Sequence, residues 1–194
     1  MPLPLPYPNL FLPDVTCITP ERLRALGVSG LLLDIDGTLM QTRDAMPRQA
    51  VLDWMRELEQ EGFILYILSN NKHHHRVKAF AEKVGLPWQH LAKKPGLAGF
   101  REAAQKLGLP PEQLAMVGDQ TYTDMLGARR FGCKGILVES TDTYLWYFWP
   151  RRLLELPFRK ERPLTWNTAR YLALRATATA LPKHTKAAST PPSG

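Results

Sequence analysis

LLLDIDGTLM, Leu31 to Met40, decides how this chain is read. Three consecutive leucines fit a strand buried on both faces, as in the interior of a parallel sheet. The run ends in two carboxylates, Asp34 and Asp36, one residue apart. Paired carboxylates raise each other's pKa and resist desolvation unless a cation or a reacting group compensates them. A buried strand that delivers two acids to its end therefore predicts a site rather than a surface turn.

The flanking sequence repeats the strand–helix alternation. A hydroxyl cap and a proline at Thr19-Pro20-Glu21 start a short helix that runs to about Gly27. Arg48 to Glu61 carries Val51, Leu52, Met55 and Leu58 at helical spacing, and Gly62 ends it. FILYILS, Phe63 to Ser69, is a second buried strand; His74 to Val84 is a helix closed by Gly85, and Trp88 to Leu91 is a short strand. Leu97 to Leu107 is helical, LPPEQ turns the chain, and LAMVG, Leu114 to Gly118, is a third strong strand. Thr121 to Phe131 is again helical and Lys134 to Glu139 is a further strand. This alternation predicts an α/β fold with a parallel, Rossmann-like sheet between helices. Ligands in such sheets gather at the carboxyl ends of the strands. Asp34 and Asp36, then Ser69-Asn70-Asn71, then Gly118-Asp119-Gln120 all stand at those ends.

Composition limits the function classes. The 194 residues, 44% of them hydrophobic, suffice for one globular domain with a real core. Cys17 and Cys133 have no metal-ligand spacing and are too few for a disulfide framework, which fits a reducing cytosol. No base precedes Arg22, as a secretory or organellar leader would require, and no apolar run approaches the roughly 18 residues of a membrane span. The formal net charge of +7 is carried entirely by residues 150–194, where nine Lys and Arg face only Glu155 and Glu161.

Two aspartates from one strand end, with Asp119 and Asp124 from another, make a hard oxygen site suited to Mg²⁺. A lone acidic pair is ordinarily a solvated turn or a helix cap. The convergence of both pairs with Ser69 and a lysine argues against that reading here.

DIDGT (Asp34 to Thr38), ILSN (Ile67 to Asn70), KKP (Lys93 to Pro95) and GDQTYTD (Gly118 to Asp124) stand in the order and context of the four motifs of haloacid dehalogenase (HAD) superfamily phosphatases. The chain resembles one branch in particular, the class III, YqeG-type phosphatases related to phosphatidylglycerophosphate phosphatases. FLPD at Phe11, ITPE at Ile18, SNN at Ser69, KP at Lys94, and GDQ with TD at Thr123 carry that closer likeness, which spans Phe11 to Glu139.

The resemblance implies a Mg²⁺-dependent phosphomonoesterase on a HAD core. Asp34 would be the nucleophile that forms an aspartyl-phosphate. Asp36 would be the general acid and then the general base, and its main-chain carbonyl would also ligate the metal. Ser69 and the amide of Asn70 would bind phosphoryl oxygens, and Lys94 would neutralise charge between nucleophile and phosphate. Lys93 competes for that role, but the family pattern sets the lysine directly before proline. Asp119 would ligate Mg²⁺ directly, and Asp124 through water or by orienting the ligands. The branch often reads Gly-Gly-Asn where this chain has Gly127-Ala128-Arg129, a departure that bears on substrate contacts.

The intervals between the motifs hold only single helices and a short strand, so no cap domain is expected. An open site suits a phosphate on something large or surface-bound. The leading expected substrate is phosphatidylglycerophosphate, hydrolysed by a cytoplasmic protein in peripheral contact with an anionic inner membrane face. A soluble or nucleotide phosphomonoester is the alternative substrate. A non-catalytic membrane-associated interaction protein is the alternative class, and the complete set Asp34, Asp36, Ser69, Lys94 and Asp119 speaks against it.

The domain reading is a Pro-rich arm over 1–18 lying on the surface in polyproline II, the phosphatase domain over 19–140, an aromatic and basic segment over 141–160, and a basic, mostly disordered tail over 161–194. Within TYLWYFWPRRLLELPFRK, Thr143 to Lys160, five aromatics crowd between Tyr144 and Trp149 ahead of Arg151, Arg152, Arg159 and Lys160. That combination suits an interfacial anchor on anionic lipid, and a terminal segment covering the sheet fits it equally. Nucleic acid would use the same bases, but no recognition fold accompanies them. Lys72-His73-His74-His75 has the look of a metal tract, yet consecutive helical residues point around the axis, so a solvated helix start is the expectation.

Overall fold

The structure is a computed structural model and describes residues 5–142. One parallel sheet of six strands organises it, in the order β1-β6-β5-β2-β3-β4. The strands are β1 (Leu10–Leu12), β2 (Gly30–Leu33), β3 (Ile64–Leu68), β4 (Trp88–Gln89), β5 (Leu114–Gly118) and β6 (Lys134–Val138). The helices between them are α1 (Pro20–Ala25), α2 (Gln49–Gln60), α3 (His74–Val84), α4 (Ala98–Leu107) and α5 (Leu126–Phe131).

Strand β2 lies at the centre, pairing Leu31 with Leu65 of β3 and with Ala115 of β5. Its leucine run is continuous because both faces are covered. Leu31, Leu33, Leu65, Ile67, Ala115 and Val117 join one buried cluster with Leu23, Trp54, Leu58, Val77 and Phe80 from α1, α2 and α3. The alternating residues Leu32, Tyr66, Leu68, Leu114 and Met116 join a second cluster with Phe100 and Ala103 of α4 and Ala128 of α5. Side chains that alternate along a strand thus feed two cores. Indole Nε1 of Trp54 donates to the Ile18 carbonyl at 2.8 Å, joining α2 to the start of α1.

The predicted surface arm is only partly an arm. Leu10–Leu12 pairs in parallel with Ile136–Val138 and forms the edge of the sheet. The prolines explain the boundaries. Asn9 to Leu12 is free of proline between Pro8 and Pro13, so its donors are intact. The amide of Asn9 donates to the Gly135 carbonyl at 2.7 Å, and its side-chain oxygen accepts from the Gly135 amide at 2.9 Å. The domain therefore begins before residue 19. It also reaches past residue 140: buried Asp142 accepts from the Thr42 amide at 2.9 Å and from the Thr42 hydroxyl.

Two further differences are local. The strand expected over Trp88 to Leu91 is the two-residue β4, because the backbone turns left-handed at Leu91 (φ 49°). The helix expected over Thr121 to Phe131 opens with a π-helical turn, Thr121–Met125, before α5. No cap is inserted among the described residues: α3 and β4 are the regular elements between Asn71 and Lys93, and a loop joins Met40 to α2. None of the helices in the described residues is long and apolar enough to cross a membrane. The segments 143–160 and 161–194 lie outside the described residues.

Candidate active site

Strands β2, β3 and β5 end side by side, and their last residues supply the site. The Asp34 amide continues the sheet by donating to the Val117 carbonyl at 3.0 Å, which fixes the carboxylate at the strand end with 5% exposure. Lys94 is equally buried and places Nζ 2.8 Å from Asp34 Oδ1, 2.8 Å from Asp124 Oδ1 and 2.8 Å from the Leu68 carbonyl. Nζ donates to Asp34 Oδ1 and to the Leu68 carbonyl, and it meets Asp124 Oδ1 as an ion pair. Lys93 is exposed, so Lys94 is the lysine that enters the cluster.

Asp34, Asp119 and Asp124 are all buried and bring one carboxylate oxygen each within 4.8 Å of one another. Burial lifts the Asp34 carboxyl from its ordinary 3.8 to about 7; Lys94 opposes this, and Asp124 and Asp36 add to it. Burial likewise pushes Asp124 up, against Lys94 and with Asp119. Burial pulls Lys94 down, but Asp124 and Asp34 together outweigh it and hold the ammonium above its ordinary value. Three carboxylates around one lysine leave negative charge uncompensated, and the donors are all hard oxygens. The buried acidic triad can therefore hold a divalent metal.

Two glycines permit this crowding. Gly37 has φ +81°, and a Cβ there would come 2.7 Å from Asp119 Oδ2 and 2.9 Å from Ser140 Oγ. A Cβ on Gly118 would fall on the Asp124 carboxylate.

Ser69 is buried at the end of β3, and its Oγ accepts from the Asn71 amide at 3.0 Å. Asn70 uses its side chain on the lysine loop: Oδ1 accepts from the Lys94 amide at 2.8 Å and Nδ2 donates to the Lys94 carbonyl at 3.0 Å. This clamp helps hold a loop in which Leu91 and Lys93 both adopt positive φ, 49° and 55°. Such conformations cost about 1–3 kcal/mol each in non-glycine residues and persist where surrounding contacts enforce them.

The Asp36 carboxylate stands apart from the triad. Its Oδ2 accepts from Asn71 Nδ2 at 2.7 Å, and its Oδ1 from Arg76 Nη2 at 2.9 Å. Nothing in the sequence marks Arg76 as a partner of Asp36, and Asn71 is signalled only by its place in the Ser-Asn-Asn run. Lys72, His73, His74 and His75 are exposed, and the His74 ring meets Trp88 at 5.2 Å and His90 at 4.8 Å, as a solvated helix start would.

A family model described as HAD-hydrolase-like matches residues 91–144. "Probable phosphatase YqeG" of Bacillus subtilis is 36% identical over 146 residues, 73% of this chain and 83% of that protein. The chain belongs to the HAD superfamily of phosphatases. A second relative, phosphatidylglycerophosphate phosphatase 1, chloroplastic, of Chlamydomonas reinhardtii, is 31% identical over 148 residues, 72% of this chain and 55% of that protein. An uncharacterized protein from Listeria monocytogenes serotype 4b has a similar fold, with TM-score 0.51 and 19% identity over 57% of this chain and 78% of that one. As a HAD phosphatase the protein is a phosphoric monoester hydrolase, and its substrate carries a phosphate.

Proposed function

We propose that the protein is a Mg²⁺-dependent phosphomonoesterase that works through an aspartyl-phosphate on Asp34. The observation that carries this reading is the buried Asp34 carboxylate, which shares Lys94 with Asp124 and lies against Asp119. In the first step an Asp34 oxygen attacks phosphorus, the ester P–O bond breaks, and Asp36 gives its proton to the departing alkoxide. In the second step Asp36 takes a proton from water, the water oxygen attacks phosphorus, and the bond to Asp34 breaks to release phosphate. Lys94 neutralises charge between nucleophile and phosphoryl group, while Ser69 and the Asn70 amide receive phosphoryl oxygens. Asp34, Asp119, Asp124 and the Asp36 carbonyl would hold the ion, Asp124 through water or by orienting the others. When bound, Mg²⁺ offsets the clustered negative charge and polarises the phosphoryl oxygens.

The proposed substrate is phosphatidylglycerophosphate, met at the cytoplasmic face of a membrane. The Chlamydomonas relative's name supports it, as does a site without an inserted cap among the described residues. A soluble phosphomonoester is the second reading, favoured by 30% identity over 98 residues to a glyceraldehyde 3-phosphate phosphatase of Methanothermobacter thermautotrophicus, 45% of this chain and 42% of that protein.

Phosphate release from phosphatidylglycerophosphate liposomes, run beside a panel of soluble phosphomonoesters, separates the two. The lipid reading expects the liposome to be preferred. A soluble ester hydrolysed faster at equal concentration overturns it.

A further inference from the structure

Asp36 is the carboxylate that the proposed reaction uses twice, yet in the folded chain donors from a single neighbouring segment occupy both of its oxygens. Oδ2 accepts from Nδ2 of Asn71 at 2.7 Å. Oδ1 accepts from Arg76 twice, from Nη2 at 2.9 Å and from Nε at 3.3 Å, so the guanidinium meets it side-on. The partners are themselves fixed. Arg76 Nη1 donates to the Asp44 carbonyl at 2.9 Å and Nη2 reaches the Gln41 carbonyl at 3.4 Å. Asn71 Oδ1 accepts from the His73 amide at 2.8 Å, and the Asn71 amide donates to Ser69 Oγ. A single guanidinium thus ties the first turn of α3 to the 41–44 loop, with Asp36 held between them. The Asp36 and Arg76 side chains are only 21% and 25% exposed, unlike the open ion pairs elsewhere on the surface.

Two N–H groups of one planar guanidinium on Oδ1, with Nδ2 of Asn71 on Oδ2, hold both oxygens and so fix the carboxylate's orientation, whereas a lysine would supply a point charge without that planar geometry. We propose that Arg76, braced by Asn71, is the positioning residue for Asp36: it sets the direction from which that carboxylate meets the leaving-group oxygen and does not itself bind the phosphate. The inference rests on Asp36 being the acid–base group.

The test uses the full chain with Mg²⁺ in single turnover, comparing alcohol release from glycerol phosphate, whose alkoxide needs a proton, with p-nitrophenol release from p-nitrophenyl phosphate, which does not. Arg76→Ala is expected to slow glycerol release about 10-fold or more, part of the 10²–10⁴ that a positioned acid contributes. Nitrophenol release should fall less than about 3-fold, with substrate affinity little changed, because that leaving group makes no demand on an acid. Arg76→Lys should recover only part of the loss, and Asn71→Ala should show the same substrate bias more weakly. If both substrates slow in equal ratio, or affinity falls while the rate holds, Arg76 is a structural or phosphate-binding residue and the proposal is overturned. Should Arg76→Ala not fold, Arg76→Lys and Asn71→Ala carry the comparison with the same criteria. Asp36→Asn separates the two claims: if it hydrolyses glycerol phosphate like the unmodified chain, the acid–base reading fails, whereas its inactivity beside a fully active Arg76→Ala defeats only the positioning role.

Discussion

At the scale of single residues, Lys94 is the group on which the site's electrostatics turn. Its Nζ is shared by two buried carboxylates and a carbonyl, so truncating it strands negative charge in the interior. Lys94→Ala should destabilise the fold by about 3–5 kcal/mol in a denaturant titration with metal chelated, the usual cost of removing one partner from a buried ion pair. Because a cation can replace the lost charge, Mg²⁺ should restore part of that loss. Asp34 sets a pH dependence of known sign. Its folded pKa, about 7, lies above the ordinary 3.8, so between these values the folded chain holds a proton that the unfolded chain has released. Stability therefore falls as pH rises through that window in the absence of metal. A divalent ion that takes the place of the proton reverses the trend, and the rise in melting temperature on adding Mg²⁺ should be larger at about pH 8 than at about pH 5.5. A gain that shrinks as pH rises would contradict the metal assignment. Asp34, Asp119 and Asp124 were legible from strand-end position and motif. Asn71 and Arg76 were not, because a hydrogen bond to Asp36 across 35 or 40 residues leaves no periodic trace in the sequence.

At the scale of elements, the central strands were legible for a plain reason. Leu31 to Leu33 and Leu114 to Gly118 are apolar on both faces, and only a covered parallel strand uses such a run economically. Strand β1 was hidden because proline dominates the composition around it, while pairing depends only on the four residues from Asn9 to Leu12 that keep their amides. The π turn at Thr121–Met125 was hidden because one wider turn at a helix start leaves no period in the sequence; what distinguishes it is that Asp124 reaches back to Lys94 and to the Gln120 amide. Extra-residue turns of this kind recur at functional sites. That turn crowds Gly118 against Asp124, which yields a prediction at this scale. Gly118→Ala should cost about 1–3 kcal/mol by overpacking and should weaken Mg²⁺ binding in a calorimetric titration, whereas an unchanged affinity would mean that Asp124 does not help to build the metal site.

At the scale of the whole molecule, the edge strand and the catalytic edge meet through β6. β1 covers that strand on one side, and β5, which ends at Gly118 beside Asp119, pairs with it on the other. Deleting residues 1–12 uncovers the β6 edge and removes buried Leu12, worth about 1.5–3 kcal/mol. The truncated chain should melt several degrees lower and self-associate in light scattering, as chains with exposed edges do. If the arm were external to the domain, its removal would leave both unchanged. For the proposed membrane contact, deleting residues 143–194 should abolish binding to anionic liposomes and spare hydrolysis of a soluble ester, and retained binding would mean that this segment is not the anchor.

That Asp34 carries the phosphoryl group can be seen by incubating the Asp36→Asn chain with Mg²⁺ and p-nitrophenyl phosphate, quenching in acid and mapping the peptides by mass. The substitution disables the base of the second step and leaves the first step a substrate that needs no acid, so the predicted result is one phosphoryl group on the Leu31–Met40 stretch at Asp34. A phosphoryl group on another residue, or none while phosphate is still released, would contradict it.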